Sequence, residues 1–321
     1  MRDILLIDAY PGLMPTVSDL TLVSAETIAE RVTMAAAITE LQRVLRDGFD
    51  PEADLPRGIL DVPAGQLLLM PAAIDGAVGQ KFATVAPGNP ARGLERIQAL
   101  YILLDGDTLS PTAILDGTAL TSLRTPAVSA ACADLLADPD AGDAVIFGTG
   151  PQAIRHVEAL QAIRPLRTVR LIGRDAARTE SAVQEARRFA PEAQIIAGTP
   201  DAVRDADLIV CATTASDPLF PADQVRDDAT IIAIGSHEPE KAELDPALLG
   251  RSQVVVESRR VAAAEAGDVI RAVREGAMRE SDAITMHELF TGAVAPASDR
   301  PRIVKTCGMG WQDLAVARLA V

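Results

Sequence analysis

A short segment from Val145 to Ile163, VIFGTGPQAIRHVEALQAI, combines an apolar run, a turn with two glycines and a stretch of helical spacing. In this turn Gly148 permits the tight bend, Gly150 lets the backbone approach a pyrophosphate, and Ala153 takes a packing position where a small residue is enough. The N-terminus of the helix that follows would offer its free N–H groups to the phosphates. Purely structural turns share this pattern, but the strand-turn-helix context favours dinucleotide binding.

The end of the next predicted strand, LIGRDAAR, indicates which dinucleotide the turn would hold. An acidic residue there would bind the ribose 2′-hydroxyl of NAD, but this chain has Gly173, with Arg174 beside it. Because an arginine suits a 2′-phosphate, the sequence predicts NADPH rather than NADH as the cofactor. Asp175 complicates this prediction, and the alternative is that Arg174 is a solvated surface charge.

The composition excludes several other kinds of protein. A net charge of -15 argues against nucleic acid or an anionic membrane as a partner. No stretch is apolar and long enough to span a bilayer, and the first ten residues lack the pattern of a signal peptide, so we expect a cytoplasmic protein. Neither a disulfide nor a metal is predicted from the spacing of the few cysteines and histidines, which are Cys132, Cys211, Cys307, His156, His237 and His287.

The first part of the chain, residues 1–118, reads as an α+β domain. A helix is predicted over about 26–46, with Gly48 as its C-terminal cap. Four short apolar or β-branched runs follow between Gly, Pro, Asp and Asn turns, which is typical of a meandering sheet.

The second part reads as a separate domain, as expected for a chain of 321 residues. After a long helix over 118–137, strands and helices alternate, which predicts a doubly wound parallel sheet of the Rossmann type over 119–295. The final segment reads as a strand, a glycine turn and a helix. It could extend either domain.

Seven segments of the chain carry a recognisable pattern: LLLMPA, GQKFATVAPGNPARGL, AILDGTALTSLRTPAVSA, GTGPQA, ELDPALL, GDVIRAVREG and GMGWQDLAVA. In order and spacing they resemble the ornithine cyclodeaminase and mu-crystallin family, from about Leu22 to the C-terminus. The resemblance implies a Rossmann domain for the nucleotide and an α+β domain that binds substrate and builds a homodimer. It also implies that the C-terminal segment returns to the α+β domain, so we assign 296–321 to the first domain. Family members move a hydride at the α-carbon of an amino acid or its imine; they include ornithine cyclodeaminases, alanine dehydrogenases and ketimine reductases.

The resemblance also implies a clamp for the substrate carboxylate, formed by Arg57, Lys81 and Arg124. The chemistry agrees, because arginine offers a two-pronged donor to a carboxylate and lysine is a compact charge that can lend a proton. Each basic residue alone would more often be solvated at the surface. The three matches together favour a clamp.

One loop, AIGSHEPEKAELD, departs from the family pattern. Cyclodeaminases and many alanine dehydrogenases carry an aspartate, taken as the catalytic acid or base, where this chain has His237. The departure makes a cyclodeaminase less expected and is compatible with imine reduction. His237 could donate a proton or orient a water, or it could only make a hydrogen bond within its loop.

The resemblance places further residues near the ligands. Cys307 matches a position near the substrate but has no neighbour in sequence that would make it a nucleophile. Asp313 matches an acid at the start of the last helix, where capping explains it as well as catalysis does, and Trp311 could simply pack. The expected cofactor contacts, in addition to the glycine turn and Arg174, are Asn89, Thr125, Thr149, Gln152, Thr213, Ile234, Gly235, Lys241 and Thr306.

These observations predict an NAD(P)H-dependent reductase of a small α-imino acid, such as Δ1-pyrroline-2-carboxylate or Δ1-piperideine-2-carboxylate. Lys81 or His237 would protonate the imine nitrogen. The alternatives are ornithine cyclodeaminase, alanine dehydrogenase and, from another class, an NADPH-dependent protein that binds a hydrophobic ligand without catalysis. The predicted partners are therefore a small imino or amino acid and a second copy of the chain.

Overall fold

The computed structural model describes residues 20–321. The first 19 residues of the predicted first domain, including the segment tested for a signal peptide, lie outside the described residues. Within the described range, no helix is both long enough and apolar enough to cross a bilayer.

The first domain is built on a six-stranded sheet of order β1-β6-β5-β4-β3-β2. Strands β2 to β6 pair antiparallel in sequence order, as the predicted meander requires, and β1 pairs parallel with β6. The strand bounds are β1 Thr21–Val23, β2 Gly58–Val62, β3 Gly65–Ile74, β4 Ala77–Val85, β5 Ile97–Asp105 and β6 Pro111–Asp116.

Two helices replace the single helix predicted over 26–46: α1, Ala25–Arg31, and α2, Met34–Arg46. The prediction was wrong because Thr33 caps a new helix, with its hydroxyl accepting from the backbone N–H of Ala36 at 3.1 Å. Gly48 has the positive φ of +97° expected of a residue that follows a helix end.

The second domain contains an eight-stranded parallel sheet of order β13-β12-β14-β11-β10-β7-β8-β9. Its helices confirm the predicted doubly wound arrangement. The strand order reverses beside β7, where α/β sheets bind their ligands. The bounds, in chain order, are α3 Gly117–Leu136, β7 Asp143–Phe147, α4 Pro151–Ile163, β8 Thr168–Ile172, α5 Ala176–Ala186, β9 Gln194–Ala197, β10 Leu208–Cys211, β11 Thr230–Ala233, α6 Pro246–Arg251, β12 Gln253–Val256, α7 Arg259–Glu265, α8 Gly267–Arg274, β13 Ile284–Thr285, α9 Met286–Phe290, β14 Arg302–Lys305 and α10 Gly310–Ala317.

The C-terminal segment is shared between the two domains. Strand β14 pairs with β11 and β12 inside the second sheet, although we assigned 296–321 to the first domain. Helix α10 then crosses to pack against β3 and α3, and Trp311 is fully buried beside Phe49. The chain thus crosses between the domains at Thr306–Met309, next to the cleft described below.

Candidate active site

A cleft of about 980 Å³ lies between the carboxyl ends of the central parallel strands and the inner face of the first sheet. Its described lining carries seven cationic side chains against two carboxylates, although the whole chain is acidic. Such a cleft concentrates an anionic ligand. The cations are Arg57, Lys81, Arg96, Arg124, Arg174, Arg178 and Lys241.

Most of the residues predicted from the sequence to bind ligands line this cleft. The exceptions are Ala153, which is fully buried, and Asn89, whose side-chain amide donates to the backbone carbonyl of Glu95 at 2.9 Å. The predicted residues in the lining are Arg57, Lys81, Arg124, Thr125, Gly148, Thr149, Gly150, Gln152, Arg174, Thr213, Ile234, Gly235, His237, Lys241, Thr306 and Cys307.

The glycine turn has the geometry that a dinucleotide requires. Gly148 has φ +126°, and a Cβ there would lie 2.4 Å from the carbonyl oxygen of Ala212. A Cβ on Gly150 would meet no described atom within 4 Å, so the backbone is open to a phosphate. Helix α4 begins at the next residue and directs its N-terminus at this space. These residues therefore fit a pyrophosphate.

Two arginines lie at the other end of the cleft, beyond β8. Arg174 and Arg178 are both exposed in the lining, Arg174 just before the N-cap of α5 and Arg178 in its first turn, and Arg178 was not anticipated from the sequence. Asp175 caps α5 by accepting from the backbone N–H of Arg178 at 2.8 Å. The presence of an aspartate beside Arg174 is therefore explained by its role as the N-cap of α5.

The floor of the cleft is held by Glu243, which the sequence analysis did not identify. Its buried carboxylate accepts from the backbone N–H and the hydroxyl of Thr213, each at 2.7 Å, and from the N–H of Gly235 at 2.6 Å. Burial raises the pKa of this carboxyl group. Glu243 thereby ties together the ends of β10 and β11.

The cationic clamp is organised by Asp313, which is fully buried. Its two oxygens accept from the Lys81 ammonium at 2.7 Å and from Nε of Arg124 at 3.0 Å. Lys81 points inward from β4, Arg124 comes from α3, and Asp313 lies in the first turn of α10. Gln312 accepts from Nη1 of Arg124 at 2.7 Å. Asp313 is therefore the partner of two clamp cations rather than a helix cap.

Arg57 completes the clamp from the loop before β2. Its Nη1 donates to the backbone carbonyl of Gly308 at 3.3 Å, and its Nε donates to Glu265 at 2.9 Å. A Cβ on Gly308 would lie 2.7 Å from Nη1 of Arg124. The guanidinium groups of Arg57 and Arg124 thus converge on the same glycine.

The two predicted proton donors lie in different environments. Burial and the positive charge of Arg124 lower the pKa of Lys81 to about 8, against the opposing effect of Asp313. His237 lies exposed on its loop, and desolvation by the surrounding protein together with the positive charge of Lys305 lowers the pKa of its imidazole. Lys81 is therefore largely protonated near neutral pH, whereas His237 is not.

Cys307 lines the cleft but is not arranged as a nucleophile. Burial raises the pKa of its thiol to about 11, so the thiolate is scarce at neutral pH. Within residues 20–321, no group of three or more His, Cys, Asp or Glu side chains is placed to hold a metal ion.

Comparison with known proteins identifies the class to which this fold and cleft belong. The model of the ornithine cyclodeaminase/mu-crystallin family matches residues 18–321. A Δ1-pyrroline-2-carboxylate reductase from Bacillus cereus is 33% identical over 258 residues, which cover 78% of this chain and 79% of the relative. The chain belongs to the ornithine cyclodeaminase/mu-crystallin family, which confirms the resemblance found in the sequence.

Solved structures agree with this assignment. The Thermococcus litoralis Δ1-pyrroline-2-carboxylate reductase, in complex with NADH and L-proline, matches with a TM-score of 0.88 and 25% identity, covering 94% of this chain and 96% of that one. An archaeal alanine dehydrogenase dimer with bound NAD matches with a TM-score of 0.87 and 27% identity, covering 94% of each chain. The predicted fold class, a Rossmann domain joined to an α+β domain, is confirmed.

Proposed function

We propose that this protein is an NAD(P)H-dependent reductase of a small cyclic α-imino acid such as Δ1-pyrroline-2-carboxylate. The observation that carries the proposal is the convergence of Arg57, Lys81 and Arg124 at one end of a cleft whose other end fits a dinucleotide. A relative of 33% identity is named for the same reaction.

The clamp orients the substrate through its carboxylate. Asp313 and Gln312 use the Nε and Nη1 groups of Arg124, and Nη2 is available to a carboxylate oxygen. Arg57 offers the edge that faces Gly308. With both guanidinium groups on the carboxylate, the adjacent imine carbon is held in a fixed position. The glycine turn at Gly148 and Gly150 would hold a dinucleotide, which would supply a hydride when bound.

Lys81 is the proton donor to the imine nitrogen in this proposal. Its ammonium group lines the cleft and uses one N–H on Asp313 and one, at 3.4 Å, on Thr121. A third N–H remains for the substrate. A pKa of about 8 keeps Lys81 charged, yet able to release a proton, near neutral pH. His237, with its lowered pKa, is a poorer donor, and the proposal gives it no role beyond lining the cleft.

NADPH is the proposed cofactor. What supports it is that Arg174 and Arg178 line the cleft just after β8, and that Asp175 is used in capping α5. Two exposed guanidinium groups suit a phosphate better than a neutral ribose hydroxyl.

A homodimer formed through the outer face of the first sheet is also proposed. Leu69, Phe82 and Leu100 stand side by side across β3, β4 and β5, and Phe82 and Leu100 are 39% and 55% exposed. Their sequence neighbours Lys81 and Tyr101 point to the buried face. An exposed apolar row of this kind marks an interaction surface, and the archaeal alanine dehydrogenase is a dimer. All three cysteines are free, as the reducing cytoplasm permits, and we propose that compartment.

The proposal is tested by following the oxidation of NADPH with Δ1-pyrroline-2-carboxylate, Δ1-piperideine-2-carboxylate, and pyruvate plus ammonia, beside ammonia release from ornithine. We expect turnover with a cyclic imino acid. Turnover only with pyruvate and ammonia would instead define an alanine dehydrogenase, and ammonia release from ornithine a cyclodeaminase. Binding of NADPH with no turnover in any assay would overturn the proposed activity.

A further inference from the structure

Arg57, in the first domain, pairs with a carboxylate of the second domain. It lies in the loop before β2, and Glu265 is the last residue of α7. Nε of Arg57 donates to Oε1 of Glu265 at 2.9 Å, and Nη2 contacts Oε2. The two side chains are only 14% and 19% exposed. A two-pronged pair with this little solvent fixes the guanidinium plane.

This pairing decides which edge of the Arg57 guanidinium faces Gly308 and the cleft. A guanidinium group has five N–H donors in a rigid fork, and Glu265 uses those on the Nε side. The Nη1 side is thereby turned to Gly308, where Arg124 also converges. A carboxylate placed there would meet both arginines.

Without Glu265, the Arg57 side chain could turn away from the cleft into a second cavity. Arg57 borders the cleft and also a second cavity of about 90 Å³, lined by Asp54 and Glu265 among others. The Asp54 side chain is deeply buried, since only 5% of the residue is exposed, and its Oδ1 has no hydrogen-bond partner among the described residues. A free carboxylate oxygen beside an open space would attract the guanidinium away from the cleft.

The residues after Glu265 hold the floor of the cleft. A Cβ on Gly267 would lie 1.9 Å from the carbonyl oxygen of Lys241, so the two segments touch. Asp268 accepts from the backbone N–H of Glu243 at 2.7 Å, and Glu243 holds Thr213 and Gly235. One short segment, 265–268, therefore contacts both the clamp and the cofactor floor.

We propose that Glu265 is a positioning residue, which holds Arg57 in the orientation that binds the substrate carboxylate. Because Arg57 and Glu265 belong to different domains, substrate binding then depends on the relative position of the two domains. This inference rests on the proposed function. Glu265 does not line the described cleft and would act through Arg57.

The test is a double-mutant cycle of Glu265→Ala and Arg57→Ala, read as KM for the imino acid, kcat and Kd for NADPH. We expect Glu265→Ala to raise KM at least tenfold, leave Kd for NADPH within twofold, and add nothing further once Arg57 is alanine. Glu265→Gln, which keeps one acceptor, should fall between wild type and Glu265→Ala and serves if the alanine variant does not fold. Glu288→Ala is the matched control. It breaks the ion pair between Glu288 and Arg259, which lies on α7 like Glu265, and neither residue lines the cleft.

Two outcomes overturn the proposal: a KM for Glu265→Ala equal to that of Glu288→Ala, or full additivity with Arg57→Ala. The same variants are compared for binding of cyclopentanecarboxylate, which has the ring and the carboxylate but no imine. If wild type reduces no imino acid, the proposed function fails, and this binding arm still decides the role of Glu265. Equal affinity in wild type and Glu265→Ala then refutes it.

Discussion

Replacement of Asp313 by Asn tests the link between the clamp and the proton donor. The side chain keeps its shape but loses the charge that both Lys81 and Arg124 contact within 3.0 Å. One of the two oxygens becomes an amide nitrogen, which must face a cation. Because Asp313 is fully buried, water cannot compensate for the lost charge.

The magnitude follows from the charges around Lys81. Removal of one partner of a buried ion pair typically costs about 3–5 kcal/mol, but Lys81 can reduce this cost by losing its proton. Asp313 raises the pKa of Lys81, so in the variant that pKa falls below about 8. Loss of an opposite charge in contact typically changes a pKa by about 1–3, and a fall in the middle of that range would leave roughly a tenth of Lys81 protonated at neutral pH and lower kcat/KM about tenfold there.

The assay is the pH dependence of kcat/KM from about pH 5.5 to 9.5. A donor must be protonated, so activity declines as pH rises through its pKa, and Asp313→Asn should move this decline to lower pH. Asp299→Asn, at an exposed position, is the control for loss of a carboxylate charge. An alkaline limb that stays in place in Asp313→Asn, with unchanged stability to urea, would refute the assignment of Lys81 as donor.

Four further outcomes are expected. Arg174→Ala should weaken NADPH more than NADH in fluorescence titrations, and equal weakening would mean a surface charge. Leu100→Asp should convert a dimer of about twice 33.7 kDa into a monomer on size exclusion, whereas a wild type that elutes as a monomer would contradict the dimer. His237→Ala should keep kcat and its pH profile, while Lys81→Ala should lose about 10²–10⁴-fold in kcat. Burial raises the pKa of Asp54 to about 6, so its protonated form stabilises the fold below about pH 4 and this stability is lost as pH rises through 6; urea unfolding of Asp54→Asn should lack that loss.

Local patterns allowed most of the fold to be predicted, together with the glycine turn that lines one end of the cleft. The glycine turn lies within six residues, so its chemistry is readable from sequence alone, and the antiparallel meander follows from short runs between turns. The single helix over 26–46 was wrong because the capping of Thr33 interrupts a continuous apolar pattern. Strand β14 was assigned to the first domain but pairs in the second sheet, because its four residues do not indicate which sheet it joins.

The partners of the clamp could not be predicted, because they are far away in the sequence. Lys81 and Asp313 are 232 residues apart, and Arg57 and Glu265 are 208 apart. The acids occupy positions that local reasoning explains without a partner: Asp313 as a helix cap and Glu265 as a charge near a helix end. Only the crossing of the chain from β14 to α10 brings Asp313 beneath the first sheet.

The pairing of charges in the clamp bears on the kind of substrate that it accepts. Within the described chain, Arg57, Lys81 and Arg124 are in direct ion pairs with Glu265 and Asp313, which leaves one positive charge in excess. Glu257, a further buried carboxylate whose charge also acts on Arg57, accepts from the backbone N–H groups of Cys307 and Gly308 and from the Gln312 amide, and the buried Lys305 ammonium opposes its charge. A substrate with one carboxylate neutralises this excess, whereas a second carboxylate at the same place would remain an uncompensated buried charge. If Arg57, Lys81 and Arg124 bind the substrate as proposed, this balance favours a monocarboxylate, and a simple cyclic imino acid carries one carboxylate.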